Sequence, residues 1–221
     1  MITVAIGDVH GMSALLDRLL REIDAFASKE SFGPPQLVFL GDYVDRGPDS
    51  RSVMRRVQAL WSDGAVCLRG NHEEMMANCE RGLVEKTQFL ANGGLQTLIS
   101  YAGYEDELEA DRRWASTLPT SFEDELRVFV HAGLRPNLAL AKQSDDDKMW
   151  IRGEFLGHPG PFPKYVVHGH TPVLAPRREE SSPDVRESRC DIDTGACYGG
   201  TLSAAFFNDG QAKPFHTISV R

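Results

Sequence analysis

Side chains that can bind metal ions follow five separate apolar runs of this 221-residue sequence, at the point where each run ends. They are Asp8 and His10, Asp42 and Asp45, Asn71 and His72, His131, and His168 and His170. Each group alone is weak evidence, because a lone histidine after a strand is more often a capped or hydrogen-bonded structural residue and the acidic groups are also typical of turns. Because the ends of neighbouring strands meet at one edge of a sheet, the repeated pattern predicts that these side chains gather at one metal site.

The candidate ligands are carboxylates, imidazoles and an amide, without thiolates. This set argues against a structural zinc site of the cysteine kind and favours manganese, with iron and zinc as alternatives. Six such ligands are too few for two ions unless one is shared, and Asp42, beside Gly41 in the middle of the series, is the candidate to bridge. Two cations about 3.5 to 4 Å apart can clamp an in-line displacement and lower the pKa of a shared water enough to supply hydroxide.

The loop that carries Asp42 is framed by two predicted elements. Residues 38–40 are an apolar run typical of a buried strand, and Pro48 with Asp49 is typical of a helix start. Asp42, Asp45 and Arg46 are therefore expected on the connecting loop, where α/β proteins place their chemistry.

The first half of the chain repeats a strand, a loop and a helix. Strands are predicted at 3–7, 36–40 and 65–68, and helices are predicted from Ser13, as N-cap, and over 49–61. This order predicts parallel strands joined by right-handed crossovers. The pattern from 74 to 118 is helical with glycine breaks, and Trp61 and Trp114 are expected to pack against the core.

The second half is richer in strands, predicted at 121–123, 126–130, 165–167, 190–193, 201–207 and 215–220. Sequence-adjacent strands and a hairpin turn at 208–210 predict antiparallel pairing there. The polar stretch 177–189 is expected to be an exposed loop, and Asp191, Asp193 and Thr194 to be turn residues. No linker divides the chain, so we expect a single α/β domain over 1–221.

Composition excludes several classes of protein. A net charge of −8 argues against broad binding of nucleic acid or anionic membranes. No apolar run reaches the roughly 18 residues of a membrane span, and the N-terminus lacks a signal-peptide pattern, so we expect a cytoplasmic protein. The four cysteines show no CxxC spacing and are expected to be reduced. With little beyond a core fold, the chain is expected to be a monomer.

Five sequence blocks resemble the signatures of the calcineurin-like metallophosphoesterases, and most closely their phosphoprotein phosphatase branch with its bacterial and phage members. They are GDVHG at 7–11, GDYVDRG at 41–47, RGNHE at 69–73, HAG at 131–133 and GH at 169–170. The resemblance runs in order through most of the chain. It implies two packed mixed β-sheets flanked by helices, a four-layer sandwich with a dinuclear metal centre at one edge.

The resemblance also implies a role for each matched residue. Asp8 and His10 would hold the first metal ion, Asp42 would bridge, and the ligands of the second ion would be Asn71, His131 and His170. His72 would protonate the leaving oxygen while Asp45 orients its imidazole. The phosphate oxygens would be bound by Arg46, Arg69 and Arg152.

The chain departs from the wider superfamily at Pro172, where many relatives carry a second histidine. We therefore expect an open, water-filled coordination sphere at the first ion. His168 is expected to support the site structurally, with a ligand role left open because alternation along the strand end puts it on the same side as His170.

The function implied by the resemblance is hydrolysis of a phosphomonoester on a protein, at phosphoserine or phosphothreonine and by extension phosphotyrosine. The alternative is hydrolysis of dinucleoside polyphosphates such as diadenosine tetraphosphate, because the blocks at 92–95, 131–136 and 150–152 are also similar to bacterial proteins of that kind. A third hypothesis, from a different class, is a non-enzymatic phosphoprotein-binding scaffold. The scaffold is disfavoured because His72, Asp45 and the metal-capable residues are all present.

Overall fold

Ten strands form two sheets in the computed structural model, which describes residues 1–221. The strands are β1 (Thr3–Ile6), β2 (Gln36–Phe39), β3 (Val66–Cys67), β4 (Ser121–Glu123), β5 (Arg127–Val130), β6 (Tyr165–His168), β7 (Asp184–Val185), β8 (Arg189–Asp191), β9 (Leu202–Phe207) and β10 (His216–Val220). Their order is β10-β9-β1-β2-β3 in the first sheet and β4-β5-β6-β8-β7 in the second.

Eight α-helices connect or flank these strands. They are α1 (Ser13–Lys29), α2 (Ser50–Ser62), α3 (Asn71–Asn78), α4 (Leu83–Phe89), α5 (Leu95–Ser100), α6 (Glu105–Thr117), α7 (Asp145–Trp150) and α8 (Gly153–Leu156), with a π-helical segment at Leu90–Gly94 between α4 and α5. None of these helices combines the length and the apolar character needed to cross a lipid bilayer.

Both sheets are mixed, as the resemblance implied. In the first sheet β1, β2 and β3 are parallel, and β9 and β10 are antiparallel to their neighbours. In the second sheet β4 and β7 are antiparallel edge strands, but β5, β6 and β8 are parallel. The expectation of antiparallel pairing in the second half was therefore wrong for its three central strands, since long connections join them and allow the same direction.

Side chains alternate between two apolar layers along each strand, and this builds the sandwich. In β1, Val4 and Ile6 pack with helices α1 and α2, whereas Ala5 faces the second sheet. The layer between the sheets also contains Phe207 from β9 and Phe129 from β5. A smaller cluster covers the outer face of the second sheet with residues from α8 and its surroundings. The order of layers is thus helices, sheet, sheet, helices.

Local details correct three expectations. Ser13 is the first residue of α1 and not its N-cap, which is Met12, and the hydroxyl of Ser13 donates to Asp49 at 3.1 Å. Trp61 is 49% exposed and packs edge to face on Trp114 at 5.9 Å, so it covers a helix rather than the core. The stretch 177–189 is not simply a loop, since it contains a 3₁₀ turn and strand β7, which pairs with β8.

Candidate active site

The ends of β1, β2, β3, β5 and β6 bring most of the predicted ligands to one edge of the sandwich. They are buried there, with exposed fractions of 5% or less for Asp8, His10, Asp42, Asn71, His131 and His170. His72 and Asp45 are completely buried beside them. Burial of so many ionisable groups is costly unless they are paired or bind a cation.

The loops at this edge have an unusual backbone. Five residues that are not glycine adopt positive φ angles, which are 44° at His10, 54° at Asp42, 72° at Asp45, 69° at Arg46 and 69° at His170. Each such conformation costs about 1–3 kcal/mol and persists only where the surroundings enforce it. Glycine at 41 contributes to that enforcement, because a Cβ there would lie 2.5 Å from the backbone nitrogen of Gly70. The two loops can therefore touch backbone to backbone.

One group of potential ligands consists of His10, Asp42 and His72. His10 Nδ1 lies 2.8 Å from the carbonyl oxygen of Val44, and because a carbonyl can only accept, Nδ1 carries the hydrogen. Nε2 of His10 therefore presents a lone pair, 3.5 Å from Asp42 Oδ2. This orientation is the one that a metal-binding imidazole needs.

A second group consists of Asp42, His131 and His170. His131 Nδ1 donates to the carbonyl oxygen of Leu40 at 3.0 Å, so its Nε2 also presents a lone pair. That atom lies 2.9 Å from Asn71 Oδ1, 3.1 Å from His170 Nδ1 and 3.3 Å from Asp42 Oδ1. Asp42 belongs to both groups, as the bridging position requires.

The electrostatics of these groups follow from burial and from Asp42. Burial acts to raise the pKa of Asp42, but the imidazoles of His131, His72 and His10 hold it well below its usual value. Burial, assisted by His72, lowers the pKa of His10 to about 3, and burial with His131 lowers the pKa of His170. At His131 burial acts to lower the pKa, but Asp42 raises it above its usual value. The ionised carboxylate of Asp42 and the neutral imidazoles of His10 and His170 are in the protonation state that binds divalent cations.

Asp8 lies outside both groups. Its two carboxylate oxygens accept from the backbone N–H of His170 at 3.3 and 3.1 Å. Burial, then the charges of Asp193 and Asp42, raise the pKa of Asp8 well above its usual value. Asp8, expected to bind the first ion together with His10, therefore lies near the site, beside Asp193 and the loop of His170. It does not belong to the group of potential ligands that contains His10.

The donor set fits divalent cations. Nε2 of His170 is buried and has no hydrogen-bond partner. Lone pairs of His131, Asn71 and Asp42 converge within about one hydrogen-bond length, an arrangement that a cation would stabilise. All donors are oxygen or imidazole nitrogen, which suits manganese, iron or zinc.

Comparison with known proteins agrees with this geometry. The model of the calcineurin-like phosphoesterase family matches residues 1–200. The chain belongs to the calcineurin-like phosphoesterases. Membership makes it a hydrolase of a phosphorylated substrate, in a family that typically binds divalent metal ions.

Named relatives of this phosphoesterase fall into two substrate groups. Serine/threonine-protein phosphatase 1 of Salmonella typhimurium is 30% identical over 210 residues, covering 90% of this chain and 89% of that protein. The asymmetrical bis(5'-nucleosyl)-tetraphosphatase PrpE of Oceanobacillus iheyensis is 28% identical over 243 residues, covering 98% and 91%. A cold-active protein-tyrosine phosphatase of a psychrophilic Shewanella shares the fold, with a TM-score of 0.65 at 15% identity over 100% of this chain and 80% of that one.

His72 and Asp45 form the closest ionisable pair of the phosphoesterase site. His72 Nδ1 lies 2.6 Å from Asp45 Oδ2, and both side chains are buried. Burial raises the pKa of Asp45 to about 8 and lowers the pKa of His72 to about 4. Near neutral pH the pair therefore carries one proton between Oδ2 and Nδ1, and the ring keeps its other hydrogen on Nε2, 3.9 Å from Asp42.

The three arginines occupy different positions. Arg46 Nη1 donates to His10 Nε2 at 2.6 Å, so it takes the lone pair that a metal ion would bind. Arg152 donates to Thr171 at 3.1 Å, and its charge helps to lower the pKa values of His72 and His170 after the effect of burial. Arg69 instead donates to the carbonyl oxygen of Ser116 at 3.1 Å, on the last turn of α6. Two of the expected phosphate-binding arginines thus lie near the ligand groups, while the guanidinium of Arg69 turns towards a helix end.

His168 is buried behind the ligands. Its Nδ1 lies 3.2 Å from the carbonyl oxygen of Gly169 and 3.7 Å from Asp191, and its Nε2 has no partner. Phe155 packs on the ring at 4.8 Å. This environment suits the structural role expected for His168.

Two buried residues of the site, Glu73 and Thr97, were assigned no role from the sequence. Glu73 accepts three backbone N–H groups, from Gly70 at 2.9 Å and from Asp42 and Tyr43 at 2.7 Å. Glutamate at the third position of α3 can accept the N–H of the residue before the helix, and this half of a capping box could have identified it; Gly70 has no side chain to supply the other half. Thr97 contacts Asp45 from 52 residues away, and no sequence pattern indicates that contact.

Proposed function

We propose that this phosphoesterase hydrolyses phosphomonoesters on proteins, at phosphoserine or phosphothreonine and at phosphotyrosine by extension, and uses His72 as general acid. The proposal rests on the pair of His72 and Asp45. Asp45 contacts Nδ1 of His72, so Nε2 of His72 is left without a hydrogen-bond partner, 3.9 Å from Asp42. Ligands alone would suit many hydrolytic reactions. An imidazole held ready to donate a proton suits a reaction whose leaving group is a poor, alkyl oxygen.

For the metal centre, we propose that Asp42 bridges two divalent ions, most suitably manganese. His10 and Asp8 would serve the first ion, and the second would be held by Asn71, His131 and His170. When bound, two such ions polarise a phosphoryl oxygen and lower the pKa of water. His10 and His131 are already oriented for this role by Val44 and Leu40.

The residues around the ions then divide the remaining work. Arg46 and Arg152 bind phosphate oxygens, since a guanidinium matches their geometry in bidentate fashion. Arg46 must first release Nε2 of His10, which is then free to bind the first ion. We retain Arg69 as a third candidate, which would have to release Ser116 to reach the phosphate. His72 passes the hydrogen on Nε2 to the leaving oxygen, and the hydrogen shared by Asp45 and Nδ1 stays on Nδ1. Asp45 orients the ring throughout.

The second candidate is hydrolysis of dinucleoside polyphosphates. It is supported by relatives of that name that match nearly the whole chain, such as the PrpE protein at 98% coverage. Both reactions need the same metal-binding core, so the substrates must be compared directly. We favour the phosphoprotein because the serine/threonine-protein phosphatase 1 of Salmonella typhimurium has the higher identity over similar coverage.

The test is side-by-side turnover of a phosphoserine peptide and diadenosine tetraphosphate by the purified manganese form. We expect kcat/KM for the peptide to be higher by about ten-fold or more, equivalent to about 1.4 kcal/mol of transition-state binding. The reverse ranking would select the dinucleotide. Binding of the peptide without turnover of either substrate would support the scaffold instead.

A matched pair of variants tests the role of His72. His72→Asn removes the proton donor and is expected to slow turnover of the peptide by about 10²- to 10⁴-fold. The control is His158→Asn, in the glycine- and proline-rich connection after α8. Full activity of His72→Asn would overturn the assignment of the general acid.

A further inference from the structure

The buried contacts of Asp45 extend to Thr97 on α5. The hydroxyl of Thr97 donates to Asp45 Oδ1 at 2.6 Å and accepts from the backbone N–H of Asp45 at 2.9 Å. Both residues are completely buried. The side chain of Thr97 therefore holds both the backbone nitrogen and Oδ1 of Asp45. The other carboxylate oxygen, Oδ2, faces His72.

Ser50 completes this arrangement at the start of α2. Its Oγ lies 2.9 Å from Thr97 Oγ1, and the N–H of Asp45 also reaches it at 3.0 Å. Since the single hydrogen of Thr97 is given to Asp45 Oδ1, Ser50 must donate to Thr97. A hydroxyl has one donor and two acceptor positions, so Thr97 uses all of its hydrogen-bonding capacity here. No apolar side chain of the same shape could replace it.

The helical segment that carries Thr97 also holds the next residue of the loop. The carbonyl oxygen of Gly93 accepts from the backbone N–H of Arg46 at 3.2 Å. Gly93 has a φ of 102°, and a Cβ there would lie 2.8 Å from the nitrogen of Arg46. Asp45 and Arg46 are consecutive residues in the left-handed conformation, which is unfavourable for both. The kinked segment from Gly93 to Thr97 therefore clamps this strained pair.

From this geometry we propose that Thr97 is a positioning residue for proton donation, holding Asp45 so that Oδ2 stays on Nδ1 of His72. The inference rests on the proposed role of His72 as general acid. In that step the oxygen of the attacking water bonds to phosphorus as the bond from phosphorus to the leaving oxygen breaks. The leaving oxygen keeps the electron pair of that bond and takes the hydrogen of Nε2, and the hydrogen shared by Nδ1 and Asp45 Oδ2 stays on Nδ1. Asp45 then accepts from both Nδ1 of His72 and the hydroxyl of Thr97, and hydrogen bonds to a carboxylate are stronger than neutral ones.

The test compares two leaving groups in the manganese form. Protonation matters greatly for an alkyl leaving group and little for p-nitrophenolate, which departs readily as an anion. We expect Thr97→Val to lower kcat for a phosphoserine peptide by about ten-fold or more, and kcat for p-nitrophenyl phosphate by less than about three-fold, because only the first depends strongly on general-acid catalysis. KM and metal content are expected to stay unchanged.

Two further variants separate the hydroxyl from the packing of the site. Thr97→Ser keeps the hydroxyl and is expected to retain most of the activity on the peptide. Thr87→Val makes the same substitution at an exposed position on α4 and is expected to behave as wild type. If Thr97→Val does not accumulate as folded protein, Thr97→Ala removes the same hydroxyl and carries the same expectation.

The outcomes distinguish this inference from the function on which it rests. If His72→Asn slows both substrates equally, the general acid is wrong and the role of Thr97 falls with it. If His72→Asn shows the leaving-group dependence but Thr97→Val does not, only the role of Thr97 is overturned. Equal loss in Thr97→Ser and Thr97→Val would overturn it as well. A Thr97→Val change that costs nothing further in the His72→Asn background would support it.

Discussion

The loops of the first sheet and those of the second sheet contribute to the site in different ways. First-sheet loops are tied to one another, as His10 is to Val44 and as the N–H groups of Asp42 and Tyr43 are to Glu73. Of the five residues other than glycine that have positive φ angles at the site, four lie in these loops, and only His170 lies in a second-sheet loop. The first sheet therefore fixes its own side of the site by local backbone contacts.

Second-sheet histidines depend on the other sheet for their orientation. His131 is oriented by the carbonyl oxygen of Leu40, at the end of β2, and the N–H of His170 by the carboxylate of Asp8 after β1. The comparison teaches that the first sheet is a template on which the second sheet is aligned. A change in a first-sheet loop is thus expected to disturb both ions, and a change in a second-sheet loop to disturb one.

The largest effect is expected where the two sheets meet, at Asp42. Asp42→Asn removes the charge shared by both ligand groups, so we expect loss of both ions and a fall in turnover on the order of 10³-fold, equivalent to about 4 kcal/mol. Metal content and steady-state rates check this. Asp17→Asn, at an exposed acid on α1, is the control. A variant that kept two bound ions would contradict the bridging role.

A pair of variants, one from each sheet, tests the template directly. His170→Asn is expected to weaken one ion by about 100-fold, equivalent to about 2.7 kcal/mol, and to leave the other in place. Asp8→Asn should weaken both, because Asp8 also receives the N–H of His170. Calorimetric titration with Mn²⁺ separates the two ions. If the two variants bind the same number of Mn²⁺ ions, the first sheet does not act as a template for the second.

Glu73 tests whether backbone contacts position the first-sheet loops. Glu73→Gln places an amide hydrogen against N–H donors, so we expect a loss of about 10- to 100-fold in metal affinity or turnover, the size usual for groups that orient ligands. Glu80→Gln, at an exposed position beyond α3, is the control and is expected to change neither. Similar values for the two variants would mean that the loop needs no such support.

The smallest effect is expected from the arginines, compared as Arg46→Lys and Arg152→Lys. Arg46 is held by Gly93 through its backbone and lies between His10 and Tyr198, whereas Arg152 is exposed and bonded to Thr171. We expect KM for a phosphopeptide to rise about ten-fold for Arg46→Lys and about three-fold for Arg152→Lys, since lysine loses bidentate binding in both. The reverse order would place the main phosphate contact on the second-sheet side.

The candidate ligands could be placed at one edge of the sandwich from the sequence because strand ends are easy to recognise. Asp42, Asn71, His131 and His170 each follow an apolar run, and the ends of runs in packed sheets meet at one edge. Boundaries of the strands were also close, since β propensity and glycine breaks are local signals. Placement was wrong for Trp61, a half-exposed residue that nothing in the spacing distinguishes from a core residue.

Other features needed the folded chain. Asp8 was expected among the first-ion ligands, and the structure places it against the N–H of His170, 162 residues away. Asp193 lies close enough to raise the pKa of Asp8, although its spacing predicted only a turn. The hydroxyl of Thr97 reaches Asp45 from another helix. Such contacts depend on how the elements pack and leave no periodic signal in the sequence.

By itself, the sequence determined the types of candidate ligand, the strands that carry them and the family to which the chain belongs. Those are set by residue identity and by spacing within a few positions. Tertiary structure alone decided the left-handed backbone of the ligand loops, the dependence of the second sheet on the first, and the hydrogen bonds that orient His10, His131 and Asp45. The reason is physical, because backbone strain and hydrogen-bond direction are enforced by neighbours that are distant in the chain and close only after folding.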